Sequence, residues 1–345
     1  MSISQAGVRP VDPVFAKMVV GALQDPKKFI ARQALPVINV DGAGATGTIF
    51  LETEEMFMGD PSKALLRAPG AAILPINTED PGTTTYSCRS RSAKTPPLPK
   101  ELIRRSQLPM DLKARNALAL ANALMVQEEV DAAANLFAAA TGWTTATAAA
   151  LAGGGGLQWT AAASTPITAL SVVQGLVRDS SNGNDPDTLI IGVETLDALK
   201  RNREVRGFIA TDVATAAGSA SALASGERVM SESAVIAVLR NILEIPNIFV
   251  GKARRRTGIP PAVNQANIWT DNCWMGHLAN ANAVPTGNGN LQMSTVASAM
   301  FLEQNVEAGV EWDYSVQSWV LWTDESYDIQ ELNTDFGYLL TDTNA

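Results

Sequence analysis

Between Pro109 and Gly142 the chain runs for 32 residues without a Pro or a Gly. The stretch is dominated by Ala, Leu, Met, Gln, Glu and Lys, the residue types that lose least on entering a helix. At 1.5 Å per residue it predicts one helix of about 45 Å, longer than a single small core requires, so extended chain must lie along it. Leu112, Leu118, Ala121, Met125, Val130, Ala133 and Phe137 recur mostly three to five residues apart, with Lys113, Arg115, Glu128, Glu129 and Asp131 between them. One face is expected to pack and the other to stay wet.

On either side of this helix the text changes character. Residues 1–35 mix polar, Pro and short apolar stretches, with short helices expected over 13–23 and 26–32, and read as an arm that needs a surface to lie on. From Pro36 a strand, a DGAGATG turn and a second strand, TIFLETEEMF, begin a hairpin or long β-loop. Prolines at 61, 69, 75, 81, 96, 97, 99 and 109 limit the following stretch to short strands, such as 72–76 and 83–89. After the helix comes an uncharged, Ala- and Gly-rich connector. The chain then predicts a helix over 167–180, a turn at NGNDPD, a buried strand TLIIG at 188–192 and a helix from Glu194. Further strands are expected within 241–253 and 267–278. Near the end, Val310, Trp312, Tyr314 and Val316, then Val320 and Trp322, alternate with polar residues as a long half-buried strand pair. The fold class is therefore α+β.

The net charge of −9 argues against a general nucleic-acid binder, whose affinity comes from neutralising phosphates with Lys and Arg. Residues 1–256 carry all 26 basic groups against 24 acids, whereas residues 257–345 carry 11 acids and no Lys or Arg, so the two parts face different surroundings. Arg89, Arg91, Lys94, Lys100, Arg104 and Arg105 form a basic run opposed only by Glu101. It is either a solvated face or a surface that meets the acids of a neighbouring subunit. Arg254, Arg255 and Arg256 pose the same choice on a loop. Cys88 and Cys273 lack metal-ligand spacing and read as free thiols in a reducing compartment. The N-terminus has no signal-peptide core, and the charge-free stretch 132–177 is too rich in Thr, Ser and Gly to span a membrane.

No catalytic, cofactor or metal site is expected. His277 is the sole histidine, and no G-x-S-x-G surrounds a serine. It reads as a packed or capping residue. GGGG at 153–156 lacks the Lys and Ser/Thr of a phosphate loop, and AGATG at 43–47 lacks dinucleotide spacing. The adjacent acids Glu54 with Glu55, and Asp324 with Glu325, do not define a glycosidase pair.

The order of these parts, with the phrases LKARNALALANALMVQEEVDAAANLF, DTLIIGVETLDALKRNREVRGFI, IPNIFVGKARRR, NIWTDNCWMGHL and QSWVLWTDESYDIQELNTDFGYLLTD, resembles the major capsid proteins of tailed bacteriophages with the HK97 fold. The resemblance implies an N-terminal arm (1–35), a strand and extended loop (36–99), a spine helix with peripheral domain (100–164), an axial domain (165–302) and peripheral return strands with the tail (303–345). It implies a non-enzymatic protein that assembles with itself through pentamers and hexamers into an icosahedral shell. The shell would hold packaged double-stranded DNA through weak contacts. A separate scaffolding protein and a portal would be partners, a decoration protein could bind outside, and no membrane or cofactor is involved. On this reading Arg89, Arg91, Lys94, Arg104, Arg105, Arg254, Arg255, Arg256, Glu54 and Glu55 are expected between subunits. Glu303, Glu307, Glu311, Asp313, Asp324 and Glu325 are expected to face the interior or an inter-subunit joint. A nanocompartment shell enclosing an enzyme, and a soluble hydrolase, are the alternatives left open.

Overall fold

A computed structural model describes residues 29–40, 45–51, 82–99, 101, 112–138, 142–151, 157–161, 163–208, 230–258, 264–278 and 296–344. The expected short helix at 13–23, the strand at 72–76, the GGGG turn, and Glu54, Glu55, Arg104 and Arg105 lie outside these residues.

The long helix spans Leu112–Leu136. It buries Ala117, Leu120, Ala121, Leu124, Met125, Ala132, Ala133 and Leu136, the stripe that a 3.6-residue period places on one side. The sequence reading of this helix needs two corrections. Leu118, expected to pack, is half exposed. Glu128 and Glu129, expected on the wet face, are buried. Glu129 stands between Met125, Ala132 and Ala133 on the packed side, so it enters the interior with them.

Against this helix lies a sheet ordered β1-β12-β13-β4, with β5 also on β13. Its strands are β1 (Val37–Asn39), β4 (Arg89–Lys94), β5 (Leu98–Pro99), β12 (Ser298–Asp313) and β13 (Ser318–Glu331). The expected long strand pair is this β12–β13 hairpin. Tyr314 and Val316 leave the ladder for the turn between the strands and are exposed. Trp312 and Trp319 face each other across the ladder with ring centroids 4.8 Å apart. A two-stranded ribbon, β2 (Thr46–Leu51) with β3 (Gly82–Ser87), precedes β4.

The second large sheet is ordered β6-β14-β11-β7-β8. It contains β6 (Thr144–Thr147), β7 (Thr188–Gly192), β8 (Asn247–Gly251), β11 (Cys273–Gly276) and β14 (Gly337–Thr341). β7 is buried throughout, and apolar from Leu189 to Ile191, because both faces are covered. Leu189 and Ile191 pack with Leu170, Val173 and Leu239 of the helices Pro166–Ser180 and Glu232–Leu243. Ile190 points the other way, to Trp269, Trp274 and Leu136. This sheet draws β6, β14 and the strands between them from three of the expected segments. The small ribbon of β9 (Arg254–Arg256) and β10 (Gln265–Asn267) stands beside it.

Candidate functional site

The feature that most distinguishes this interior is its charge. Glu128, Glu129 and Asp131, in the last turns of the long helix, each reach a different part of the chain. Oε1 of Glu129 accepts hydrogen bonds from the backbone N–H groups of Ile30 and of Ala31, the latter at 2.7 Å. Glu129 thus satisfies donors at the start of the short helix Ala31–Ala34 that no turn of that helix can reach. Its Oε2 accepts from the Trp269 indole N–H. Glu128 accepts from Arg32 Nε at 2.9 Å, and the same guanidinium also donates to Glu325 of β13. Asp131 accepts from Arg91 Nε and from the Tyr327 hydroxyl, both at 2.8 Å, with the Arg91 guanidinium 3.9 Å above the Tyr327 ring.

The long helix is therefore tied through its acids to the segment beginning at residue 29, to β4, to β13 and to the strand connection bearing Trp269. Desolvation dominates the electrostatics. Burial pushes the Glu129 carboxyl up to about 7, against the pull of its three donors. Burial, with Glu128 close by, pushes Glu325 up to about 8 although Arg32 opposes it. Burial works against the Arg32 charge, yet Glu128 and Glu325 outweigh it and hold the guanidinium more firmly protonated than usual. Burial, then Asp131, raises the Tyr327 phenol well above its ordinary value. The groups are donors, acceptors and charges drawn from separate parts of the chain, and the arrangement fastens those parts together.

Of the residues singled out from sequence, Arg91 and Glu325 are committed inside the chain. Arg91 is bound by Asp131, and Glu325 has no exposed surface. Arg89 and Lys94 are exposed on β4, and Arg254, Arg255 and Arg256 are exposed on β9. Glu307 and Glu311 are exposed along β12. Glu303 accepts from Ser326 Oγ and Asp324 from Ser90 Oγ, both at 2.6 Å, and Asp313 accepts from Ser315 in the hairpin turn. His277 packs beside Phe336 and lies 3.0 Å from Asp187. Both cysteines are free and buried. Among the described residues no His, Cys, Asp or Glu cluster suited to a metal occurs, and no helix is long and apolar enough to cross a membrane.

Sequence reasoning missed Arg32, Glu128, Glu129, Asp131 and Trp269 as a group. Glu129 carried a usable signal, an acid spaced by helical steps from Met125, Ala132, Ala133 and Leu136. Its partners lie too far away in sequence for any local pattern to announce them.

No protein-family model and no curated protein matches the chain. Solved structures do. A phage-related protein from Bordetella bronchiseptica RB50 aligns over 98% of this chain and 99% of its own, at 20% identity and a TM-score of 0.65. The capsid of Myoviridae phage XM1 aligns over 90% of this chain and 91% of its own, at 11% identity and a TM-score of 0.53. A structure from Microbacterium phage Oxtober96 aligns over 91% of both chains, at 10% identity and a TM-score of 0.53. The chain thus has a mixed helix-and-strand fold resembling those of phage capsid structures.

Proposed function

We propose that the chain is the major capsid protein of a tailed bacteriophage, a structural protein that polymerises through hexamers and pentamers into an icosahedral shell around double-stranded DNA. The observation that carries this reading is the likeness of fold to the XM1 capsid across nine-tenths of both chains. The long helix bound to two sheets gives the subunit a rigid body, on which an N-terminal arm (1–35) and an extended loop (36–99) can reach neighbours. A peripheral part (100–164 and 303–345) and an axial part (165–302) complete the plan, with β6 and β14 joining the axial sheet. The exposed arginines Arg89, Arg254, Arg255 and Arg256, with Lys94, supply cations for joints between subunits, together with Arg104, Arg105, Glu54 and Glu55. The exposed acids Glu307 and Glu311 suit an inner surface that leaves packaged DNA free to move. Repetition of weak contacts around a closed lattice makes such a shell stable. A scaffolding protein and a portal complete assembly in the host cytoplasm.

The test is negative-stain electron microscopy with light scattering of the purified chain, alone and co-produced with the products of neighbouring genes. Closed icosahedral shells are expected. A chain that stays monomeric under every condition would overturn the reading, and shells filled with an enzyme rather than DNA would replace it with a nanocompartment.

A further inference from the structure

The acids around Arg32 are not equivalent. Every partner of Glu129 is a donor: two backbone N–H groups and an indole N–H. Its oxygens are filled. Glu325 differs. One of its oxygens accepts from Arg32, but Oε2 is buried with no donor in reach among the described residues. Nη2 of Arg32 donates to Oε1 of Glu128 as well as to Oε1 of Glu325, so the two carboxyls flank one guanidinium nitrogen. A buried acceptor left bare costs about 1–3 kcal/mol, and two ionised carboxylates in contact repel. One proton between them removes both penalties, leaving an acid that donates to a carboxylate while Arg32 bridges the two.

We propose that Glu128 and Glu325 share a single proton beneath Arg32, and that this proton latches the segment at residues 29–35 onto the long helix. The charged and titratable groups facing the pair are Arg32 from that segment, Glu129 and Asp131 from the long helix, Tyr327 from β13 and Arg91 from β4. Arg91 is occupied with Asp131, and the Tyr327 hydroxyl donates its hydrogen bond to the same carboxylate. Neither can neutralise a second charge at the pair. When that proton passes to a base in solution, Glu325 is left as a second buried negative charge beside Glu128 with one guanidinium between them. Opening then hydrates them. The segment that opens is residues 29–35, which carries the short helix Ala31–Ala34. This inference concerns the single chain and does not depend on the shell reading.

Hydrogen exchange of the full chain, followed by mass spectrometry and corrected for the intrinsic pH dependence of exchange, reads the open population of residues 29–35. A latch closed by one proton predicts that this population rises by up to about tenfold per pH unit as the proton is lost, then levels off. Glu129 contributes to the rise only below about pH 7, so the interval from there to about pH 8 reports the pair. Glu325→Gln carries a permanent donor in place of the proton and should keep the segment protected with no slope in that interval. A flat profile in the unmodified chain, or an unchanged slope in the Gln variant, would overturn the proposal. Should the variant misfold, infrared difference spectroscopy of the unmodified chain decides. A protonated carboxyl band present near pH 7 and lost near pH 9 is expected, and its absence at neutral pH refutes the shared proton.

Discussion

Glu129 shows how little of a side chain's role is set by its polarity alone. Its oxygens take two backbone N–H groups and one indole N–H, all of them buried. Glu129→Leu keeps the volume and the helix propensity but leaves those three donors bare, at about 1–3 kcal/mol each. A loss of about 3 kcal/mol or more is therefore expected in urea unfolding. Leu118→Gln, on the same helix but half exposed, is expected to change stability by less than about 0.5 kcal/mol. Equal losses in the two variants would show that the Glu129 bonds contribute nothing. Glu244 offers the opposite sign. It ends the helix Glu232–Leu243 at φ 57, the left-handed region that a Cβ disfavours by about 1–2 kcal/mol. Glu244→Gly should raise stability by about 0.5–1 kcal/mol, once the greater freedom of Gly in the unfolded chain is subtracted. A lower urea midpoint for this variant would refute the strain.

Elements were legible where their signal was local. The breaker-free run gave the long helix, TLIIG gave β7 at its observed bounds, and the alternation from Val310 to Trp322 gave the β12–β13 pair. The helix Glu232–Leu243 has no clear local signal, because its C-terminal residues adjoin an Ile-Pro that reads as the entrance to a strand. β14 has none either, because GYLLT is short and acquires meaning only between β6 and β11, which lie far off in sequence. The acidic node was illegible for the same reason, since burial of Glu128 and Glu129 follows from segments nearly a hundred or more residues away. Close approaches are equally non-local. Gly192 and Gly251 pair across β7 and β8, and a Cβ on Gly251 would stand 2.1 Å from the Trp269 ring. Trp269 donates to Glu129, so this sheet edge and the node share one side chain. Gly251→Ala is expected to cost about 1–3 kcal/mol through overpacking. It should also weaken protection of the Ile30 and Ala31 amides beyond what a uniform loss of stability explains. An Ala variant as stable as the parent would show that Trp269 moves without cost.

For the molecule as a whole, the sign of the pH dependence follows from which carboxyls are buried. Burial raises Glu129 to about 7 and Glu325 to about 8, and it also raises Asp271 and Glu331. Asp313 alone among the described carboxyls with a resolved shift is lowered, by its bonds to Ser315 in the hairpin turn. A carboxyl whose pKa is higher in the folded chain holds its proton there after the unfolded chain has lost it. Between the unfolded value, about 4.5, and the folded one, the native state binds more protons, so stability falls as pH rises. The contribution is complete below about pH 4.5 and is lost as pH climbs through about 7 for Glu129 and about 8 for Glu325. General repulsion acts in the same direction, because a chain of net charge −9 becomes more negative with each proton lost. Urea midpoints of the unassembled chain should therefore decline from about pH 5 to about pH 8.5 and flatten above that. Glu325→Gln should remove the decline above about pH 7 and lessen it below, whereas Glu129→Gln should lessen only the part below about pH 7. A stability that increased across this interval would mean that the carboxyls of the node are ionised in the folded chain from the start, with Arg32 and the backbone donors outweighing burial.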